Sequence, residues 1–568
     1  MFPSLPAVKF KIERGVWKSD MQNASFRNKL KEFARLKNEP LLLLAIIFII
    51  AFVCFFVIWP IFRLMTLAKP SEYSILVTTP RWGRALRNSL YMMVISTISC
   101  TVVAFIFAYT MTRLDVPLKG LFRFITLLPV VSPPFIVALS YILLFGVQGI
   151  ITKRLLGLSV DVYGRFGLWI VQTVTFFPYA FSVIYGVLQK ISTNLEYAAY
   201  NMGSTRWQVF RDVLWPLARP GVAGGALMAA INVLTDFGNP QMIGGDLALL
   251  ANEAYMQVVG WYDMKTASIL AMLLMVPSFI IFVIQRFWVG RRSYVTVTGK
   301  EISLPPYPVH PAVKWGLFAF CIFVSIFVLL VYGFLFIGSF TQAWGYDWSL
   351  TFKNYNYVWG KFTQIWNSIK FAFLSAAFAA LLGLILAYIV QKKEVGINKL
   401  LDFLGVMPSA IPGMFLGLAY VIAFNKKPIK LTNTPAIMVL ALMFWNLPTC
   451  YSSAIAGIQQ IGNSVEDAAL NLGANSFRSF KDVIVPLLKV PFMSGFVLSF
   501  LRSVTCLSVI IFIYSPKTSV GTASILGLVS YGQWGAAAAF TVVLIAIAFG
   551  ALLLAQRIMR KLGTELEI

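Results

Sequence analysis

Few residues in this chain of 568 have chemistry to offer. Asp236 and Arg502 stand within strongly apolar stretches. The five cysteines, Cys54, Cys100, Cys321, Cys450 and Cys506, are far apart in sequence and form no CxxC pair, so they read as small buried hydrophobes rather than a disulfide framework or metal site. The single histidine, His310, sits among Pro305, Pro306, Pro308 and Pro311. One histidine in a proline-rich stretch excludes a His-based metal centre or triad. No Gly-x-x-x-x-Gly-Lys-Ser/Thr occurs, because Gly299-Lys300 and Gly360-Lys361 lack the earlier glycine and the following hydroxyl residue. The chain therefore has no phosphate-cradling loop and is not expected to hydrolyse ATP.

The elements that must position Asp236 and Arg502 follow from composition. The chain is 59% hydrophobic and 12% charged, with 48 Phe. That excess of apolar residues over a soluble domain of this size has to face lipid. Runs of about 20 apolar residues, enough to cross the hydrocarbon core, fall at 41–65, 88–112, 121–146, 167–189, 217–238, 267–289, 313–338, 367–391, 399–424, 434–457, 490–514 and 535–557. The fold predicted is an all-α polytopic membrane protein of about twelve spans. Residues 1–40 are polar and basic, are not a cleavable signal, and are expected in the cytoplasm. An even number of spans puts both termini there. Arg286, Arg291, Arg292 and Lys300, then Arg557, Arg560 and Lys561, agree, whereas Lys153, Arg154, Lys426, Lys427 and Lys430 fall in expected outside loops against the bias. The net charge of +25 is read as topogenic, not as a nucleic-acid surface.

The two halves repeat. Asn88-Ser89, Leu128-Pro129 and Tyr141 recur as Asn367-Ser368, Met407-Pro408 and Tyr420 at an offset of 279, and Pro178 and Gln189 recur as Pro448 and Gln459 at 270. A longer outside loop in the first half, around 147–166, accounts for the difference. The reading is a first repeat at 41–290, a cytoplasmic linker at 291–312 and a second repeat at 313–568, parallel and pseudo-symmetric, with a pathway at their interface. Pro133-Pro134 and Pro412-Gly413 should interrupt the third and ninth spans, as kinks rather than as functional breaks.

After the fourth span of each repeat comes a matched loop, 192–216 and 462–486. The first reads Glu196-Tyr-Ala-Ala-Tyr-Asn-Met-Gly203 and the second Glu466-Asp-Ala-Ala-Leu-Asn-Leu-Gly473, each followed at 13 residues by Pro216 or Pro486. A short helix runs to a glycine able to take positive φ. A second amphipathic helix follows, with Trp207, Phe210 and Leu214 or Phe477, Phe480 and Ile484 as its stripe. One such loop could simply lie on the membrane. Two at matched spacing in matched halves are read as rigid helical knobs on the cytoplasmic face.

This pattern resembles the EAA loop of binding-protein-dependent ABC importers of type I. The resemblance implies that Glu196, Ala198, Ala199, Gly203, Glu466, Ala468, Ala469 and Gly473 dock onto two copies of a separate ATPase subunit, which would use the ATP and Mg, with no cofactor bound by this chain. It further implies a bacterial inner-membrane permease served by an extracytoplasmic solute-binding protein. Tyr197 departs from the usual second acid, and Asp467 keeps it. The stretches Gly290–Lys300, Thr235–Pro240 and Arg502–Ser508 are similar to fused permeases assigned to ferric iron, with relatives assigned to sugar phosphates, phosphonates or thiamine. Ferric iron delivered by a binding protein would need no ligand cluster here. Asp236 and Arg502, with Asn232 as the pseudo-equivalent of Arg502, are then pathway candidates. They would face each other as a gate pair or substrate contact, or else form a structural pair without a transport role. A secondary transporter has the same two-by-six layout, but gives no reason for matched knobs. A membrane enzyme would need a clustered acid, nucleophile or metal set, and none is visible.

Overall fold

The computed structural model describes residues 40–289, 309–393, 395–427, 429–474 and 476–561. The expected N-terminal segment, the Gly290–Lys300 stretch and most of the linker lie outside them. Among the described residues ten helices are long and apolar enough to cross a membrane, and two sharply bent pairs, each taken as one span, bring the number to twelve. All twelve overlap the apolar runs, the third only in part, since its counted helix is Ile136–Leu155 where the run is 121–146, and an all-α polytopic architecture results. The exception among the described residues is a two-stranded hairpin, Thr341–Ala343 with Asp347–Leu350, after the seventh span.

The expected interruptions are present. The third span is split into Lys119–Val131 and Ile136–Phe145 around Ser132-Pro133-Pro134. The ninth is split into Asn398–Ala410 and Gly413–Phe424, bent by 103°. A proline cannot donate the backbone bond that would carry the helix through.

Two spans end earlier than their hydropathy suggests. The fifth stops at Leu234 and the eleventh at Val504. In both a threonine follows, and its hydroxyl donates to the carbonyl four residues back: Thr235 to Ile231 at 2.8 Å and Thr505 to Leu501 at 3.0 Å. The apolar run 506–514 continues as turns, so Arg502 lies in the last turn of its helix and not mid-span.

The repeat markers have a structural task. Asn88 donates to Ala248 O at 3.0 Å, and Ser89 Oγ accepts the N–H of Leu250, which opens the short helix Leu250–Val259. Asn367 donates to Ser519 O at 3.0 Å, and Ser368 Oγ accepts the N–H of Gly521, which opens Gly521–Ser530. Each Asn-Ser pair thus pins the loop after the fifth or eleventh span to the start of the second or eighth.

The leading helix of each half is exchanged. Pro40–Met65 packs against the ninth and tenth spans and shares their apolar core through Ile46, Ile49, Val53 and Val57. Pro311–Phe340 packs against the second and third spans while keeping its contact with the twelfth span of its own half, and shares the other core through Cys321, Val328, Val331 and Leu335. Tyr332 carries a hydrogen bond across to Ser132 at 2.5 Å. On the face that bears the matched loops, Arg286 and Asp402 form a further ion pair between halves.

Candidate functional site: the paired loops and the interface cavity

Each loop folds as read up to its glycine, but the second helix is not a separate one in the first half. It runs through Pro216 into the fifth span as Arg206–Leu234, because a proline in the first turn of a helix has no backbone bond to lose. In the second half Phe480–Leu487 and Lys489–Val504 meet at a bend of 64°. Helix Thr193–Asn201 begins under a Ser192 cap and ends at Gly203 with φ +90°; Asn463–Asn471 ends at Gly473 with φ +86°. Positive φ is the conformation that favours glycine. The amphipathic stripe packs as expected in part. Leu214 and Ile484 are buried, and Phe210 and Phe480 lie against Tyr109 and Tyr388, with ring centroids 6.0 and 4.6 Å apart. Trp207 is exposed.

The two glutamates point inward rather than outward. Glu196 and Glu466 are each only 6% exposed, and Ala199 is also buried, whereas Ala198, Ala468, Gly203 and Gly473 are exposed. Arg113, the last residue of the second span, holds Glu196 with Nε 2.7 Å from Oε1, and its Nη2 donates to Ile191 O at 2.8 Å. In the second half, two residues at the end of the eighth span divide these contacts. Lys392 Nζ donates to Ile461 O at 2.8 Å, while Lys393 Nζ reaches Glu466 Oε1 at 3.0 Å. Tyr388 O–H adds a bond to Glu466 at 2.9 Å. Burial holds the Glu196 carboxyl above the ordinary range, with Arg113 pulling against that shift. A buried carboxylate paired in this way ties its loop to the span as one piece.

Sequence reading missed this clamp, taking terminal basic residues as topogenic. The signal was available, since Arg113 and Lys392 fall at the same 279 offset as the other repeat markers.

Asp236, Arg502 and Asn232 line one cavity of about 90 Å³ at the interface of the halves. Its walls are pseudo-equivalent: Asn232, Thr235, Asp236, Phe237 and Gly238 from one half, and Arg502, Thr505, Cys506, Leu507 and Ser508 from the other. The expected facing pair is not an ion pair among the described residues. Asp236 accepts from Gln172 Nε2 and Asn239 Nδ2, each at 3.0 Å, and Gln172 Oε1 in turn accepts from Ser96. Arg502 donates to Thr449 Oγ1 at 2.7 Å and lies 4.5 Å over the Trp445 ring. Each charge is satisfied within its own half. No group of three or more His, Cys, Asp or Glu arranged to hold a metal occurs among the described residues.

Two matched loops with clamped glutamates, two interlocked six-span halves and a charged cavity between them describe an importer permease. The family model for the binding-protein-dependent transport system inner membrane component matches residues 100–294 and 379–564, and this chain belongs to that family. The two matches start and end at the same offsets, 279 and 270, that the repeat markers show. The chain is 33% identical to the ferric transport system permease protein FbpB of Actinobacillus pleuropneumoniae, over 91% of this chain and 78% of the relative. It is 32% identical to the putative ferric transport system permease protein FbpB 1 of Haemophilus influenzae, over 85% and 80%. A putative 2-aminoethylphosphonate transport system permease protein PhnV of Salmonella typhimurium is 27% identical over 44% of this chain and 96% of its own length.

Proposed function

We propose that this chain is the translocation subunit for ferric iron, handed over by an extracytoplasmic binding protein and driven by two copies of a separate ATPase. The observation that carries the reading is the similarity to ferric permeases along nearly the whole chain. In this reading the repeats are 41–290 and 313–568, both termini are cytoplasmic, and the chain binds no cofactor of its own. The face bearing the loops meets the ATPases through Ala198, Ala468, Gly203, Gly473 and the exposed apolar residues Leu195, Met202, Trp207 and Leu472. Exposed apolar groups of this kind suit a protein interface. The glutamates act one step back, as positioning residues that lock each knob to its span. Asp236, Asn232 and Arg502 line the pathway.

The test is uptake of radiolabelled ferric iron by cells expressing the whole system, against a Gly203→Pro, Gly473→Pro variant that still reaches the membrane. Uptake by the parent and its loss in the variant support cargo and coupling together. Uptake unaffected by the variant overturns the coupling reading. Absence of uptake by either form favours the second reading, a phosphonate-type cargo, which the PhnV similarity supports.

A further inference from the structure

A second cavity, of about 730 Å³, opens on the face opposite the loops. That face is fixed by chain direction: the second span begins there at Pro80 and ends at the loops with Arg113, and the fourth begins there at Arg165 and runs into the first loop. Four guanidinium groups line the cavity, from Arg81, Arg84, Arg87 and Arg165.

Their charges are not balanced. The lining acids are Glu253 and Asp246. Glu253 is taken by Arg81 through a two-pronged contact at 2.8 and 2.9 Å. Arg165 donates to Asn88 Oδ1 at 3.2 Å and lies over the Tyr91 ring. Arg84 and Arg87 have no ion pair or hydrogen bond among the described residues, and both are exposed to the cavity mouth.

Three arguments count against a merely structural role. Arg81, Arg84 and Arg87 occupy the first two turns of one long helix, and Arg165 is the first residue of another. Helix N-termini favour anions and disfavour cations. Arginines on this face also run against the inside bias of positive charge. Finally, the fold does not need them, since the equivalent positions in the second half are Gly360, Thr363, Trp366 and Pro435. An anion drawn into this cavity meets two helix N-termini and unpaired guanidinium forks together, the combination that suits planar or tetrahedral oxyanions.

We propose that this cavity is a binding site for an oxyanion of the phosphate class. That it faces the outside rests on the orientation given above; the binding itself does not.

The experiment measures radiolabelled inorganic phosphate binding to the full chain in phosphatidylcholine nanodiscs, beside an Arg84→Gln, Arg87→Gln variant. Lys426→Gln, an exposed position away from the cavity, is the control. Saturable binding weakened at least tenfold in the double variant and unchanged in the control is the expected result. Nanodiscs with added phosphatidylglycerol separate the sources. Loss of phosphate binding there identifies a lipid headgroup as the occupant, and persistence identifies a free anion. The proposal is overturned by absence of saturable binding in the phosphatidylcholine nanodiscs, or by binding there that is indifferent to the double variant. It is also overturned if phosphate fails to bind while the double variant loses capture of the purified solute-binding protein, which would make the arginines a docking surface instead.

Discussion

Arg113 and Glu196 join the end of the second span to the first loop through a 2.7 Å ion pair whose side chains are 5% and 8% exposed. Removing one partner strands the other charge where water cannot reach it, at a cost of about 3–5 kcal/mol. Arg113→Met is therefore expected to abolish uptake and to uncouple ATP hydrolysis from the binding protein. Arg113→Met with Glu196→Gln removes both charges and should recover part of the assembly. A double-mutant cycle on thermal stability checks the sign, and strict additivity would refute the clamp.

The second half offers a rescue. Lys393→Leu removes the cation of Glu466 and should lower uptake at least tenfold. Adding Lys392→Arg copies the arrangement of the first half, in which one guanidinium reaches both the carboxylate and the carbonyl. The pair Lys392→Arg, Lys393→Leu should restore coupling that Lys393→Leu alone loses. A purely steric role for Lys393 would show no such recovery in ATPase stimulation assays.

At Gly203 and Gly473 an added Cβ would meet nothing within 4 Å, so only the backbone resists substitution. Ala at either position should destabilise the loop by about 1 kcal/mol, and Asn, which tolerates positive φ, by less. Proline cannot take φ of +90° at all, and the double Pro variant should lose coupling outright. Hydrogen exchange of the loop amides separates these three outcomes.

In the interface cavity, Asp236→Asn replaces a carboxylate that accepts from Gln172 and Asn239 with an amide that must turn one donor toward another. About 1–3 kcal/mol is at stake. Arg502→Met removes the cation over Trp445, worth about 0.5–2 kcal/mol. Both variants should assemble with the ATPase and transport poorly. Unchanged uptake initial rates in both would remove the cavity from the pathway.

The twelve spans were legible because hydropathy alone sets them, and the loops because a glycine, a proline and a glutamate recur at fixed spacing. The early ends of the fifth and eleventh spans were not. Residues 506–514 are as apolar as a helix, and nothing in their own composition marks the stop after Val504. Asp236 and Arg502 were found by their cost in an apolar setting, but their partners, Gln172 and Trp445, come from other spans and carry no mark of it in sequence. Arg81, Arg84 and Arg87 escaped notice because the expected span began at 88, after the helical turns that bear them.

The exchanged leading helices bear on ancestry. A permease one repeat long, such as the relative matched along 96% of its length by 44% of this chain, would present two identical mouths if it paired with its own copy. Joining two repeats in one chain frees each to diverge while the exchange keeps them locked. The arginines at 81, 84, 87 and 165, whose counterparts in the second half are Gly360, Thr363, Trp366 and Pro435, are a lopsidedness that gene duplication followed by fusion permits and a symmetric dimer forbids.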